Sequence, residues 1–383
     1  MPIPSRANDI VTPEALAQLA TALEGVRELA VDVEADAMHH FRARLCFVQL
    51  GTDTDIFLVD TLVDGLSPAA LSSMFADATV TKFFHAAQGD LQYLAEAGVR
   101  VKGLFDTHRA ATLLGWPKVG LADLVKEHLG ATLQKEHQQS DFSIRPLPPE
   151  LRAYIADDVR YLVDVGRLVR EACLKADILE EVLLDCDRLC DDAAARPDPA
   201  AAFNVKLPKQ GLSAEQVRLG QHLARELHLK RLAWAEAEDV PMGRVLSNMA
   251  IASIAAKPPA SLKELARCQG VRGGFVRQYG EAVMALIAEL QQRAAGGGLE
   301  DLEKRTPKDP RKKKREEALL EWRKAAATER KVTPSVVLPN ALVEAVAAAA
   351  PATLEELRAV PYFGEKRLLR HGESMLAALA PYL

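Results

Sequence analysis

Two patterning regimes divide the chain. Through roughly its first 200 residues, short β-rich apolar runs alternate with stretches whose apolar positions recur every three or four residues. ELAVDVEA (28–35), RLCFVQLG (44–51) and DIFLVD (55–60) predict strands, and TKFFHA and the stretch leading into Asp106 predict two more. PEALAQLATAL (13–23) predicts a helix, with Leu16, Leu19, Ala20 and Leu23 on one face and Thr12 as N-cap. LSPAALSSMFA predicts another, GDLQYLAEAG one stopped by Gly98, and the pattern from Pro149 to Asp192 is continuously helical. Strands followed by alternating helices and strands predict an α/β domain over residues 1–205, a mixed sheet flanked by helices.

After Pro197 the β signal vanishes. Residues 206–383 read as helices and contain an internal repeat: LSNMAIASIA and SLKEL (246–255, 261–265) match LPNALVEAVA and TLEEL (338–347, 353–357) at an offset of 92. Trp234 and Trp322 precede the two copies at an offset of 88, which predicts four extra residues before the second core. Two small all-α helical bundles are therefore expected, at 206–295 and 313–383. Between them lies a linker, 296–312, that begins with three glycines and turns basic.

Charge sharpens the division. The net charge of −5 conceals −13 over residues 1–205 and +8 over the remainder. Such asymmetry suits a chain that handles a charged polymer with one part and performs another task with the other. At 26% charged and 49% hydrophobic residues the chain is not of the disordered class. No apolar run reaches the roughly 18–20 residues needed to span a bilayer, and MPIPSRANDIV lacks the pattern of a secretory signal. The five cysteines include no C-x-x-C pair, so reduced thiols, a cytoplasmic location and no membrane contact are expected. Residues 304–315, KRTPKDPRKKKR, hold eight basic side chains and one acidic one. This run reads either as a solvated linker and first helical turn or as a phosphate contact that displaces condensed counterions.

Some acidic residues stand where a fold alone would not place them. Asp32 and Glu34 interrupt a buried-looking strand, and i, i+2 spacing puts both on one face. Like charges so close are costly unless a cation neutralises them; the alternative is the exposed face of an edge strand. Asp90 follows a strand that ends at His85 and opens a helix, where a carboxylate also serves as a cap. Tyr154 and Asp158 are i and i+4 on a later helix, hence neighbours. Asp157 is turned about 100° away and reads as solvent-facing or capping.

The order D-x-E, then an Asp after a strand and loop, then Y-x-x-x-D on a helix resembles the DEDD exonuclease superfamily in its tyrosine branch. Its histidine branch would require His at the position of Ala153. TKFFHAAQGDLQYL, GLFDT, QSDFSIRPL (139–147) and YIADDVRYL (154–162) resemble segments of the bacterial ribonuclease D family in order and spacing. That family also carries C-terminal helical HRDC domains, so the resemblance covers nearly the whole chain. One departure is Val33-Glu34-Ala35, where the family often has Thr before the Glu and an aromatic residue after it.

The resemblance implies a ribonuclease H-like nuclease domain and 3′→5′ hydrolysis of RNA to nucleoside 5′-monophosphates, with trimming of tRNA 3′ ends. It implies two divalent cations, with Asp32 bridging both, Glu34 and Asp158 completing one site and Asp90 holding the other through water. An oxygen-only ligand set favours Mg²⁺ or Mn²⁺. Tyr154, with an ordinary pKa near 10, is expected to position the attacking water rather than abstract its proton. His85 is a candidate substrate contact, and Asp106 reads as structural. Lys206, Lys209, Arg218, Arg225, Lys230, Arg231 and Arg244, together with Arg311, Lys312, Lys313 and Lys314, are candidates for RNA backbone contact that would position the strand without reading its sequence. A monomer acting on structured RNA with a free 3′ end is expected. The alternatives are a 3′→5′ DNA exonuclease, separable only by 2′-OH contacts, and a non-catalytic RNA-binding scaffold, which predicts a missing carboxylate where none is missing.

Overall fold

A computed structural model describes residues 6–133, 137, 139–193, 207, 211–300, 302 and 309–383. Six strands, β1 (Arg6–Ile10), β2 (Glu28–Ala35), β3 (Leu45–Gly51), β4 (Asp55–Asp60), β5 (Thr81–Phe84) and β6 (Leu104–Asp106), form one sheet in the order β1-β4-β3-β2-β5-β6. The β2–β3 and β3–β4 pairs are antiparallel, whereas β1–β4, β2–β5 and β5–β6 are parallel, so the sheet is mixed as predicted. β2 lies between β3 and β5. The D-x-E strand is therefore central, and the edge-strand reading falls.

The helices of this domain are α1 (Pro13–Ala22), α2 (Ser72–Ala76), α3 (Gln88–Glu96), α4 (Thr107–Leu114), α5 (Leu121–Leu129), α6 (Pro149–Arg160), α7 (Leu162–Lys175) and α8 (Leu179–Ala193). Thr12 caps α1 as expected, its hydroxyl accepting from Ala15 N–H. The continuous helical pattern of 149–192 is broken twice, at Tyr161 and at Ala176–Ile178, where Asp177 takes a left-handed backbone conformation (φ 57°). α6 packs across β2, β3 and β4, and α7 across β2 and β5.

The helical remainder holds α9 (Ala214–Glu238), α10 (Met242–Val245), α11 (Asn248–Ala256), α12 (Leu262–Leu265) and α13 (Gly273–Ala295). A second set follows: α14 (Pro310–Arg330), α15 (Pro334–Val337), α16 (Asn340–Ala349), α17 (Leu354–Arg358) and α18 (Glu365–Leu379). The two sets share internal packing. Arg231 Nη1 donates to Leu246 O (2.9 Å) and Asn248 Oδ1 (2.8 Å), and Arg323 Nη1 donates to Leu338 O and Asn340 Oδ1 (both 2.8 Å). Gly280 and Gly372 each give room to a leucine: an added Cβ would lie 2.7 Å from Leu262 Cδ2 in one and 2.6 Å from Leu354 Cδ2 in the other.

These pairs keep the offset of 92 back into the first helix of each set, so no four-residue insertion separates the copies. Trp234 and Trp322 occupy different positions: Trp234 stacks on Tyr279 with ring centroids 4.2 Å apart, while Trp322 Nε1 donates to Ser374 Oγ. Arg231 is also corrected as an RNA contact. It is buried, and its guanidinium is spent on its own domain.

The chain divides into two compact units, one drawn from residues 1–35, 45–196 and 308–383 and the other from 36–44 and 197–307. None of the described helices is long and apolar enough to cross a membrane.

Candidate active site

β2 presents Asp32 and Glu34 on one face, α6 brings Asp158 to them, and one oxygen from each of the three carboxylates lies within 4.8 Å of the others. Asp90, in the first turn of α3, does not cap that helix: the N-cap is Ala87, with no side-chain bond. Its carboxyl instead feels the charges of Asp32 and Asp158. Asp32, Glu34, His85, Tyr154 and Asp158 line one cleft of about 430 Å³, completed by Val33, Gly120–Ala122, Leu133 and Leu162. No Lys or Arg is among these residues.

Burial, and then mutual repulsion, set the electrostatics of the site. Burial raises the Asp32 carboxyl to about 7, only partly opposed by the Val33 N–H. Burial, then the charges of Asp32, Asp158 and Asp90, lift Glu34 to about 10. Asp158 rises to about 8 through burial and the neighbouring Asp32 and Asp157, although the Tyr154 hydroxyl hydrogen-bonds to it and pulls the other way. Asp90 is pushed well above its ordinary value, by burial first and then by Asp32, Asp106 and Asp158. Four acids held in this state suit a hard divalent cation, whose charge reverses the balance that burial sets. The Tyr154 hydroxyl, raised well above its usual pKa by burial and the adjacent carboxylates, is a donor at neutral pH.

His85 is neutral, driven down to about 3 by burial and by His108. The Thr107 hydroxyl gives its one proton to Phe84 O (2.9 Å), so it accepts from His85 Nδ1–H (2.9 Å), which leaves Nε2 as the ring's free acceptor.

Asp106 is structural, as its position suggested. Its carboxylate accepts from the backbone N–H groups of Ala86, Ala87, His108 and Arg109 at 3.0–3.1 Å. It thereby caps α4 and pins the β5–α3 turn, including Ala86 at φ 64°, between His85 and Asp90. Asp157 pairs with Arg160 at 2.6 Å and is not one of the three converging carboxylates, reaching Asp158 through its charge.

Arg311, Lys312, Lys313 and Lys314 are not among the residues lining this cleft. Arg311–Lys314 form the first turn of α14; Lys312 pairs with Glu316 (3.7 Å), Lys313 with Glu317 (3.5 Å), and Arg311 Nη1 donates to Leu383 O. Arg315, in the same run, is buried and donates to Ala347 O and Tyr382 O, so it braces its own bundle. Lys206 and Lys209 lie outside the described residues. The Gly120–Ala122 wall was not anticipated; its signal was Gly120 standing as N-cap before the amphipathic LADLVKEHL.

A mixed sheet whose central strand and facing helix converge three acids and a tyrosine, with a fourth acid, Asp90, supplied by the first turn of α3, has the arrangement of a metal-dependent nuclease domain. Comparison with known proteins agrees: residues 8–170 match a 3′-5′ exonuclease family, and residues 221–287 and 312–379 each match the HRDC domain. Ribonuclease D of Acidiphilium cryptum is 33% identical over 289 residues, covering 74% of this chain and 71% of that protein. Ribonuclease D of Gluconacetobacter diazotrophicus is 33% identical over 282 residues, 73% of this chain and 70% of that one. Among solved structures, the catalytic core of RRP6 from Trypanosoma brucei aligns with a TM-score of 0.62 at 26% identity, over 78% of this chain and 83% of that chain. Escherichia coli RNase D shares the fold over 99% of this chain and 100% of its own, with a TM-score of 0.71 at 22% identity. The chain belongs to the ribonuclease D family and is a hydrolytic 3′→5′ exoribonuclease dependent on divalent metal.

Proposed function

We propose that this enzyme trims the 3′ ends of structured RNA precursors, tRNA foremost, as a cytoplasmic monomer using two Mg²⁺ or Mn²⁺ ions. The observation that carries the reading is the meeting of Asp32, Glu34 and Asp158 oxygens within 4.8 Å in a cleft whose described lining residues include no Lys or Arg. Asp32, Glu34, Asp90 and Asp158 would hold the ions, their all-oxygen donor set suiting either metal. Two such ions supply an activated nucleophile and stabilise the attacking and leaving oxygens of an in-line displacement.

The remaining roles belong to the chain's own side chains. Tyr154 donates from its hydroxyl, orienting Asp158 and the attacking water without serving as base. His85 offers Nε2 as a neutral acceptor for a hydroxyl of the terminal ribose. Asp106 keeps the turn between His85 and Asp90 in register.

The test sets a 3′-extended tRNA beside DNA of matched sequence, with Mg²⁺ or Mn²⁺, using the wild-type chain and Asp158→Asn. Stepwise shortening of the tRNA by wild type alone is expected. Untouched tRNA, or equal trimming by the variant, overturns the reading.

A further inference from the structure

We propose that Gln49 is a positioning residue for this site: its buried, unpartnered amide stands across the strand from Asp32, placed to donate to that carboxylate and hold it in the orientation that receives a cation. The inference rests on the metal-site reading given above and extends it to a residue that reading does not use.

Gln49 stands directly opposite Asp32 in the antiparallel β2–β3 ladder. Directly opposed residues project from the same face of a sheet, with Cβ atoms about 4.5–5.5 Å apart. That face is the one under α6. On it the next pair along the ladder is Ala30 and Gly51, and a Cβ added at Gly51 would lie 2.8 Å from Val159 O of α6 and 3.2 Å from Ala30 Cβ. By strand alternation Ala30, Asp32 and Glu34 share this face with Gly51, Gln49 and Phe47. On its other side Gln49 faces Leu58 of β4, which is buried. Its cross-strand neighbours are thus an aliphatic side chain and a carboxylate.

Gln49 is fully buried (0% exposed), and neither Oε1 nor Nε2 has a hydrogen-bond partner. An amide buried in this way is costly, and a leucine would fill similar space without the cost. The residue makes physical sense if its N–H is meant for the acceptor across the strand. An ionised carboxylate offers about four lone-pair positions, so Asp32 can face a cation with some and take the Gln49 N–H on another. Partners of this kind fix the orientation of ligating groups, and removing them typically weakens metal binding about 10–100-fold.

The experiment uses the full chain and its Gln49→Leu variant. Mn²⁺ binding is measured directly by electron paramagnetic resonance, thermal unfolding is followed without metal, and hydrolysis of a short RNA is titrated with Mn²⁺. Gln49→Leu should unfold at the wild-type temperature or higher while binding Mn²⁺ about 10-fold more weakly. Its half-maximal Mn²⁺ concentration should rise in parallel, with KM for RNA unchanged. A purely structural role would not separate these readouts. Should Gln49→Leu not fold, Gln49→Met is put through the same measurements. Wild-type Mn²⁺ affinity in a folded variant overturns the inference alone. A wild-type chain that hydrolyses RNA without binding Mn²⁺ overturns the metal-site reading, and the inference with it.

Discussion

Two groups of carboxylates in the same compact unit have opposite fates. At the site, Asp32, Glu34 and Asp158 line a cleft with no basic side chain among its described lining residues, and these three and Asp90 are all pushed upward in pKa. Where α7 and α8 meet α14 and α18, Asp177 and the buried Glu181 are met by cations from the last helical domain. Arg330 Nη2 lies 3.1 Å from Glu181 Oε1, Lys366 Nζ 2.7 Å from Asp177 Oδ1, and Arg370 Nη2 2.6 Å from Asp177 Oδ2. Hydrogen bonds from Lys366 and Arg370 lower Asp177 to about 2. Clustered acids alone therefore do not mark a metal site. Buried acids that meet no cation among the described residues do.

The sharpest way to break the comparison is substitution on each side. Asp32→Asn or Asp158→Asn should lower kcat on the order of 10³-fold or more, the scale on which loss of preorganised charge stabilisation is felt. The metal-free melting temperature should hold or rise, because a like charge has been removed. Asp177→Asn should leave hydrolysis of a short RNA near the wild-type rate. A fall in that rate comparable to the site variants would erase the distinction.

Metal addition gives the next largest effect. Mn²⁺ at 100 times its Kd should stabilise the wild-type chain by about 2.7 kcal/mol, from mass action alone. Asp32→Asn should lose most of that gain and Asp177→Asn keep it, which calorimetric scans with and without Mn²⁺ can read. Arg330→Ala should cost roughly 2 kcal/mol in denaturant unfolding, because Glu181 stays buried with Lys366 (3.4 Å) as its remaining ion-pair partner among the described residues. Its Mn²⁺ affinity should not change.

The two groups also differ in the sign of their pH dependence. Asp32 and Asp158 have folded-state values of about 7 and 8, above their ordinary value, so they favour the fold when protonated. That contribution is complete below the ordinary pKa of 3.8 and disappears as pH rises through 7 to 8. Metal-free stability should therefore fall between pH 6 and pH 8, by on the order of 1 kcal/mol per group, and saturating Mn²⁺ should flatten the decline. Asp177, lowered to about 2, favours the fold above its ordinary value and loses that contribution only as pH drops toward 2. A metal-free chain equally stable at pH 6 and pH 8 would contradict the raised values.

What the sequence made legible follows from how local each signal was. The strand carrying Asp32 and Glu34 and the helical turn joining Tyr154 to Asp158 are short-range patterns, and the structure places them as their spacing required. β1 escaped notice because RANDI is polar and sits at a sheet edge, paired only with β4. Gln49 was one polar letter in RLCFVQLG, and its meaning depends on which residue the β2–β3 register sets opposite. Arg231 read as a phosphate contact because its basic side chain is visible in sequence, whereas its acceptors, Leu246 O and Asn248 Oδ1, are carried by a later turn of chain. The tryptophans differ for a related reason: a conspicuous residue type need not mark equivalent positions, and the less conspicuous Arg231 and Arg323 are the equivalent pair.

The smallest predicted effect tests whether the basic turn of α14 grips RNA or only solvates its helix. Lys313 is exposed and pairs with Glu317 at i+4, an arrangement worth about 0.3–0.5 kcal/mol. Lys313→Ala should therefore leave the unfolding midpoint nearly where it was. If the side chain meets a phosphate, the slope of log K for RNA against log salt should become shallower by about 1, with affinity falling equally for unrelated sequences. The loss should also add to that of Lys312→Ala, since each lysine releases its own counterions. Unchanged slopes in both variants would mean that these lysines serve their glutamates alone. The +8 of the second half would then have to act on RNA through other side chains, such as the exposed Arg225 and Arg244 of the first bundle.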